Sequence, residues 1–242
     1  MKSIGKYVIF VGSMFTKMES FSTYVKRTLD EAIIIGINSL VLVTIVSTFI
    51  GMVTTVQTAA NMVSPFIQDF VISTVVRDMT IFELAPTITS IVLAGKVGSN
   101  IAGELGTMRI TEQVDALEVM GINSASYLVL PKVVAAMLMF PMLVVLAGFL
   151  SIYGGFLVGS LTNIISGQDY VYGLRFDFRQ YNIFIALVKS LVFAFLIATI
   201  SAYKGFYTKG GALEVGQSST SAVTNSCIAI LLADYLVVEL LL

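Results

Sequence analysis

The sequence contains no histidine, no tryptophan and a single cysteine among its 242 residues. The lack of histidine excludes a Ser-His-Asp triad and a zinc site built on imidazole ligands. The single Cys227 excludes an internal disulfide and a cysteine-based metal cluster. The sequence also has no G-x-x-x-x-G-K-[ST] segment, the loop that cradles nucleotide phosphates in P-loop ATPases. No catalytic residue, resident metal or cofactor is therefore predicted in this chain.

Charge is scarce as well, at 12% of the residues, where soluble domains have about 25%. Three stretches have no Asp, Glu, Lys or Arg at all: Ala32 to Gln68, Val133 to Gln168 and Val215 to Ala233. A membrane-spanning helix needs about 20 mostly apolar residues, and it satisfies its own backbone hydrogen bonds. The sequence therefore predicts an all-α polytopic membrane protein. No basic patch interleaved with aromatic residues points to nucleic acid.

Five transmembrane helices are predicted within a single domain that covers residues 1–242. Their predicted limits are 36–63, 81–104, 126–160, 181–204 and 217–241. The first is expected to end at Ser64-Pro65, because the residue before a proline disfavours the helical conformation.

Residues 1–30 have a different pattern. Apolar residues recur near helical spacing from Ile4 to Met18, with Lys17, Arg27 and other basic residues among them. Such a pattern is typical of an amphipathic helix that lies in the membrane interface. A first spanning helix that begins early is the alternative.

The placement of lysine and arginine predicts the orientation. With the N-terminus inside, ten basic residues fall on the cytoplasmic side: Lys2, Lys6, Lys17, Lys26, Arg27, Lys96, Arg109, Lys132, Lys204 and Lys209. Three fall on the outer side: Arg77, Arg175 and Arg179. The N-terminus is thus predicted to be cytoplasmic and, after five spans, the C-terminus periplasmic.

A polar, charged segment, residues 107–121, lies between the second and third predicted spans. Ile110, Val114 and Leu117 recur at helical spacing. An acidic stripe lies beside them, formed by Glu112, Asp115 and Glu118. Gly121 is placed to end the helix. The segment is predicted to be a cytoplasmic amphipathic helix that docks into a groove of a soluble partner; a solvated helix without a partner is the alternative.

The run GKVGSNIAGELGTMRITEQVDALEVMGINSASYLVLPKVVA, which begins at Gly95, resembles the signature of the MlaE-type permeases. These are membrane subunits of ABC transporters that move phospholipids. Two further blocks resemble the same family: Glu83-Leu84-Ala85-Pro86, and the C-terminal segment from Gly205-Phe206-Tyr207 to Asp234-Tyr235. The resemblance covers most of the chain and is weakest over the first thirty residues or so.

The resemblance implies a homodimer in the inner membrane of a double-membraned bacterium, with a role in outer-membrane lipid homeostasis. It implies three kinds of partner: a cytoplasmic ATPase that uses ATP and Mg²⁺, a periplasmic MCE-domain lipid-binding protein, and phospholipid. The 107–121 segment would be the coupling helix that contacts the ATPase. The residues implied in this coupling are Glu104, Arg109, Glu112, Asp115 and Glu118.

Four residues are predicted to line a lipid cavity: Glu83, Lys189, Ser219 and Thr220. Charges inside spans are unfavourable and often functional. Glu83 is equally consistent with a carboxylate at the start of a helix, and Lys189 with an ion pair to Glu83 or Asp234. The hydroxyls near the start of the last span are equally consistent with bonds to the preceding turn of their own helix.

Three departures from the family pattern are visible. Phe82 stands where many relatives have arginine, so an ion pair with Glu83 is either absent or rebuilt from Arg77 or Lys189. Asn123-Ser124 replaces a common Asp-Pro, and Glu214 replaces a usual glycine.

Two other function classes stay open from the residues alone: an ion-coupled secondary transporter that uses Glu83, Lys189 and Asp234, and a membrane scaffold without transport activity.

Overall fold

The computed structural model describes residues 2–16, 21–62 and 68–241, which are helical apart from short connections and include no strand. The α-helices are α1 Lys2–Ser13, α2 Phe21–Ala32, α3 Asn38–Asn61, α4 Phe70–Met79, α5 Thr89–Leu93, α6 Ser99–Ile110, α7 Gln113–Val119, α8 Ser124–Leu161, α9 Gly167–Arg175, α10 Gln180–Phe206 and α11 Ala212–Leu241. Three π-helical segments join some of them: π1 Ile33–Ile37, π2 Thr80–Ile88 and π3 Ala94–Gly98.

Five helical runs among the described residues are long and apolar enough to cross a membrane. They are Ser22–Asn61, Phe70–Ile110, Ser124–Leu161, Gln180–Phe206 and Ala212–Leu241. The predicted all-α polytopic class is therefore confirmed. The last three runs lie close to the predicted limits, whereas the first two begin more than ten residues earlier than predicted.

The N-terminal region contains two helices where one was predicted over residues 1–30. Ser13 and Thr16 end α1, each with a hydroxyl that donates to a carbonyl three residues earlier, and such bonds compete with helix continuation. The second helix, α2, continues through π1 into α3, which makes one helical run from Ser22 to Asn61. The interfacial placement of residues 1–30 stays a prediction. Lys17, Met18 and the predicted end at Ser64-Pro65 lie outside the described residues.

The second run is interrupted by π2 and π3, in which backbone bonds close over one more residue than in an α-helix. Pro86 lies inside π2. It has no N–H and would clash with the carbonyl of Phe82, four residues earlier, in a regular α-helix. The wider π turn accommodates this residue within a membrane helix.

The chain forms two compact units, each assembled from three parts of the sequence. Unit 1 comprises Met1–Ser39, Ser90–Phe140 and Leu191–Val237; unit 2 comprises Leu40–Thr89, Pro141–Ser190 and Val238–Leu242. In unit 1, α1 packs through Phe10 against Tyr203 and Phe206, and the Tyr7 hydroxyl lies 2.6 Å from Thr199 Oγ1.

Unit 2 contains a very close approach of α3 and α8. A Cβ placed at Gly51 would overlap the backbone of Ser151, and one placed at Gly154 would overlap the backbone of Thr48. Ser151 donates to the carbonyl of Ser47 at 2.7 Å across the same contact. Gly155 and Gly159 likewise contact Thr55, Tyr170 and Ile165 of their own chain. These two glycines therefore serve close packing within unit 2.

Candidate functional site

The segment predicted as one helix over 107–121 is divided at Glu112. Helix α6 ends at Ile110, and α7 begins at Gln113. Glu112 adopts a left-handed conformation with φ 61°, which a residue with a Cβ adopts only at a cost. Thr111 Oγ1 donates to the carbonyl of Thr107, which favours a stop at this point. The predicted apolar stripe from Ile110 to Leu117 therefore does not run along a single helix.

The acidic residues of this segment form contacts that shape the turn. Arg109 Nη1 lies 2.6 Å from Asp115 Oδ1, which closes the turn between α6 and α7. Ser124 donates to Glu118 Oε1 at 2.8 Å, which ties the end of α7 to the start of α8. Glu112 is exposed. Two of the three predicted acidic positions thus hold α7 in place, and Glu112 is available to a partner.

The prediction that Gly121 ends this helix is confirmed. Gly121 has φ 78°, and its N–H donates to the carbonyl of Glu118 at 3.0 Å. The next N–H, of Ile122, donates to Leu117 at 3.1 Å. This pair of bonds is the Schellman arrangement, which satisfies the last carbonyls of a helix.

Asn123, one of the departures from the family pattern, joins α7 to the N-terminal helix. Its Nδ2 donates to the carbonyl of Ser13 at 2.9 Å and to that of Thr16 at 2.7 Å. The partners are more than a hundred residues away in the chain, so no local signal could have revealed this contact. The short helix α7 is consequently fixed at both ends.

Glu104, a predicted coupling residue, belongs to a buried cluster of three charges in unit 1. Lys132 Nζ lies 2.5 Å from Glu31 Oε1 and 2.7 Å from Glu104 Oε2. Lys132 is only 3% exposed, whereas Glu104 is 34% exposed. The cluster has two carboxylates for one ammonium group, and it joins α2, α6 and α8.

Glu83 and Lys189, two of the predicted cavity residues, form an ion pair. Lys189 Nζ lies 2.7 Å from Glu83 Oε2, and Lys189 is fully buried. Thr87 donates to the other carboxylate oxygen at 3.0 Å. Glu83 lies in π2, well inside the second run, so its interpretation as a helix-start carboxylate is wrong. Of the two rebuilt pairs considered, the structure contains the one with Lys189.

Lys189 also contacts the backbone of π2 close to Pro86. Its Nζ donates to the carbonyl of Phe82, four residues before the proline, at 3.2 Å and lies 4.7 Å from the centre of the Phe82 ring. In a π-helical turn the backbone N–H for this carbonyl belongs to Thr87, so the loss of an N–H at Pro86 does not affect it. Lys189 therefore adds a charged donor to this part of the helix.

The same arrangement recurs in unit 1. Pro131 removes the α-helical donor to the carbonyl of Tyr127, and Arg27 Nη1 donates to that carbonyl at 3.3 Å. The Arg27 guanidinium also lies 3.6 Å from the centre of the Tyr127 ring. In both places a cation from another helix contacts the ring and the carbonyl of the residue four positions before a proline.

Arg77, predicted to lie on the outer side between the first two spans, is buried on α4 and only 2% exposed. Its Nη1 donates to the carbonyls of Gly173, Leu174 and Phe176, at 3.3, 2.9 and 2.7 Å. Asp78 balances its charge at 2.9 Å. Arg77 therefore anchors α9 and the connection after it, a role that depends on residues about a hundred positions away.

The hydroxyls of Ser219 and Thr220 bond within their own helix, as the alternative stated. Ser219 donates to the carbonyl of Val215 at 3.0 Å, and Thr220 to that of Gly216 at 3.1 Å. Both also line pockets of unit 1, but two different ones. The two residues therefore do not share one cavity wall.

Comparison with known proteins decides the family. A family model described as "Permease MlaE" matches residues 28–240. The chain belongs to the MlaE permease family. A probable ABC transporter permease protein of Rickettsia bellii is 38% identical over 239 residues, which cover 99% of this chain and 92% of that protein. A probable ABC transporter permease protein of Synechocystis sp. is 37% identical over 210 residues, or 87% of this chain and 80% of that protein.

A plant relative extends the comparison. The chloroplastic protein TRIGALACTOSYLDIACYLGLYCEROL 1 of Arabidopsis thaliana is 34% identical over 243 residues, which cover 94% of this chain and 65% of that protein. The match to the MlaE family begins at residue 28, so it includes the Lys189–Glu83 pair, the Glu31–Lys132–Glu104 cluster and α7. This member of the MlaE family is a multi-pass membrane permease.

Proposed function

We propose that this MlaE-family permease is the membrane subunit of an ABC transporter that moves phospholipid. It acts as a homodimer in a bacterial inner membrane and exchanges lipid with a periplasmic MCE-domain partner, in support of outer-membrane lipid homeostasis. ATP and Mg²⁺ bind to a separate cytoplasmic ATPase. The N-terminus is cytoplasmic and the C-terminus periplasmic, following the placement of the basic residues.

The observation that carries this proposal is the similarity, over nearly the whole chain, to proteins named probable ABC transporter permeases. The absence of a P-loop in the sequence agrees with a motor on another chain. The buried Lys189–Glu83 pair adds a geometric argument, since ionised groups within spans are retained mainly where they serve transport. Glu83, which is partly exposed, offers a carboxylate to a lipid headgroup, and the buried Lys189 holds that carboxylate in place.

The proposed mechanism starts at α7. Contact with the ATPase moves α7, and the bonds of Glu118 and Asn123 transmit this motion to α8 and α1. Because α7 is fixed at both ends, the helices move with it as rigid bodies, which is a common form of switching transition. ATP binding would thereby change the shape of the lipid cavity.

The first test concerns the motor. A tagged parent chain is isolated from native membranes beside a variant in which Glu112, Asp115 and Glu118 are changed to Lys, and co-purifying proteins and lipids are identified by mass spectrometry. We expect an ATPase and phospholipid with the parent and loss of the ATPase from the variant. Glu214→Lys, a charge reversal in the first turn of α11 and outside α7, is the matched control. If neither the parent chain nor the variant brought down an ATPase, the assignment of this chain as the membrane subunit of an ABC transporter would be refuted.

The second test separates this function from ion-coupled transport by the same charged residues. The complex is reconstituted in vesicles, and transfer of a fluorescent phospholipid is followed with ATP, without ATP, and with an imposed proton or sodium gradient. Transfer is expected to require ATP and to be lost in Lys189→Met. Transfer driven by the gradient without ATP would support the secondary transporter instead, and assembly without any transfer would support a scaffold.

A further inference from the structure

Unit 1 contains a pocket of about 820 Å³ that lies among the start of α3, the π3–α6 segment, α7 and the start of α11. Its volume is within the range of small-molecule sites, which is about 300–1,000 Å³. Its wall includes Ser39, Lys96, Asn100, Gly103, Glu104 and Gln113. All of these residues belong to unit 1, and none is part of the Lys189–Glu83 pair.

Two of the three π-helical segments border this pocket. Ile34 and Ile35 of π1 and Lys96 and Val97 of π3 contribute to its wall. π-Helical turns inside α-helices are rare and occur frequently at functional sites. Here residues of both segments line the same pocket.

The wall contains a polar group that is buried without a partner. Ser39 is completely buried, and its Oγ has no hydrogen-bond partner within the described part of the chain. A buried hydroxyl without a partner is destabilising, by about 1–3 kcal/mol. A ligand oxygen in the pocket would accept the bond that this hydroxyl can donate.

The charges in the wall have opposite signs. Lys96 Nζ donates to the carbonyl of Asn38, which uses one of the three donors of an ammonium group. Glu104 belongs to the cluster in which Lys132 is shared by two carboxylates. Lys96 therefore favours an anion in the pocket, and Glu104, about two turns further along the same helical segment, favours a cation because of the excess of carboxylate in its cluster.

We propose that this pocket binds the headgroup of a zwitterionic phospholipid, with its phosphate at Lys96 and Ser39 and its ammonium group at Glu104. The inference rests on the proposed function, and it names a substrate class and a second site for it. Gly103 and Ser219 both belong to the wall, and a Cβ placed at Gly103 would lie 3.4 Å from Ser219 Oγ. A larger side chain at position 103 would therefore take up space in the pocket. Gln113, the first residue of α7, places the occupant next to the segment proposed to contact the ATPase.

The test uses the full-length chain in phosphatidylglycerol nanodiscs that contain a photoreactive phosphatidylethanolamine. After illumination, labelled peptides are mapped by mass spectrometry. We expect labels on peptides that contain residues 34–39 and 96–108. Lys96→Gln should reduce this labelling roughly tenfold, the effect of losing a hydrogen bond to a charged group, and Gly103→Leu should reduce it by filling the pocket. Lys96→Arg should retain it.

Lys209→Gln is the matched control, because it removes an exposed lysine of the loop before α11 and should leave labelling unchanged. Helical content and gel-filtration elution establish that each variant is folded. Glu104→Gln should reduce labelling by phosphatidylethanolamine more than labelling by a photoreactive phosphatidylglycerol, which has no ammonium group. A photoreactive diacylglycerol, which has no phosphate, should not label the pocket.

Three results would overturn the proposal. The first is equal labelling of the parent and Lys96→Gln. The second is equal labelling by diacylglycerol, which would make the pocket a general apolar surface. The third is loss of labelling in excess inorganic phosphate, which would make it a site for a soluble anion. Labelling of the pocket needs neither ATP nor partner chains. A failure of ATP-driven lipid transfer would therefore reject the proposed function, but it would not by itself reject binding of a headgroup in this pocket.

Discussion

Lys189 and Glu83 are 106 residues apart in the sequence and form an ion pair of 2.7 Å in which the lysine is fully buried and the carboxylate is not. Lys189 also donates to the carbonyl of Phe82, so a single ammonium group satisfies a carboxylate and a backbone acceptor. Removal of Lys189 would therefore leave two acceptors without this donor.

We expect Lys189→Met to destabilise the protein by about 2 kcal/mol, less than for a fully buried pair because Glu83 is partly exposed. This corresponds to a melting temperature lower by roughly 4–8 °C, measured by thermal denaturation in detergent. The double variant Lys189→Met/Glu83→Leu should recover part of the loss, since the carboxylate that loses its ammonium partner is then absent as well. Additive effects of the two substitutions would show that the pair contributes nothing to stability.

Arg77 is predicted to hold α9 in place through three backbone carbonyls. Arg77→Met should destabilise unit 2 by about 2–4 kcal/mol, because buried acceptors lose a charged donor. Hydrogen exchange of residues 167–177 should become faster. Arg77→Lys should restore little, since one ammonium group cannot reproduce the planar fork of a guanidinium. Arg179→Met, which removes a side chain that is 75% exposed, is the control and should behave like the parent.

Substitution of a glycine by alanine should lower the melting temperature where α3 and α8 are in contact, but not at a glycine with open space around it. Gly51→Ala requires the helices to separate, so its melting temperature should fall by several degrees. A Cβ at Gly95 meets nothing within 4 Å, and Gly95→Ala should be neutral or slightly stabilising. Thermal denaturation of both variants checks this. A Gly51→Ala variant that melts at the same temperature as the parent would contradict a backbone contact between α3 and α8 at this glycine.

The turns before and after α7 should respond to the two left-handed positions that flank this helix. Glu112, before α7, has φ 61°, and Gly121, after it, has φ 78°. Glu112→Gly should relieve strain and stabilise the turn between α6 and α7 by up to about 1 kcal/mol, whereas Gly121→Ala should destabilise the end of α7 by about 1 kcal/mol. Hydrogen exchange of α7 measures both effects. Faster exchange in Glu112→Gly than in Gly121→Ala would contradict the description of this turn.

The buried Tyr170 should make the stability of the protein decrease at alkaline pH. Burial in unit 2 raises the pKa of this phenol to about 12, and its hydroxyl donates to the carbonyl of Ile152 at 3.1 Å. The pKa of this phenol is higher in the folded state than its value of about 10 in the unfolded state. Its contribution to the stability of the fold is therefore complete below pH 10 and is lost as the pH rises towards 12.

The melting temperature of the parent should therefore fall between pH 9 and pH 11 by more than that of Tyr170→Phe, which has no hydroxyl to ionise. Tyr172→Phe is the control, because Tyr172 is 56% exposed and on the same helix. An equal fall in the parent and Tyr170→Phe would exclude Tyr170 as the responsible group.

The five spans could be predicted because long runs without charge have few alternatives to membrane helices. The start of the second span could not, since Arg77 and Asp78 suggest a loop when only neighbouring residues are considered. Arg77 pairs with Asp78 and donates to carbonyls in and after α9, about a hundred residues away in the chain. The cost of a buried charge depends on these distant partners, and a local pattern does not contain them.

The charged segment before the third span shows the same limit at shorter range. Its hydrophobic spacing is helical throughout and correctly indicated the stop at Gly121, which follows from local glycine conformation. The break at Glu112 is stabilised by the Arg109–Asp115 pair, which forms only once the turn exists. Periodicity therefore predicted the helix and its end, while the turn within it depended on side-chain contacts.

The π-helical segments have a consequence for the length of the chain. Each π turn closes over one residue more than an α turn, so deletion of one residue within Ala94–Gly98 would let the backbone close as an α-helix and keep the flanking faces in register. The same deletion inside α10 would rotate all following residues by about 100°. Among members of the family, insertions and deletions within spans should therefore concentrate at these segments, and alignments that forbid gaps inside membrane helices would misplace residues there.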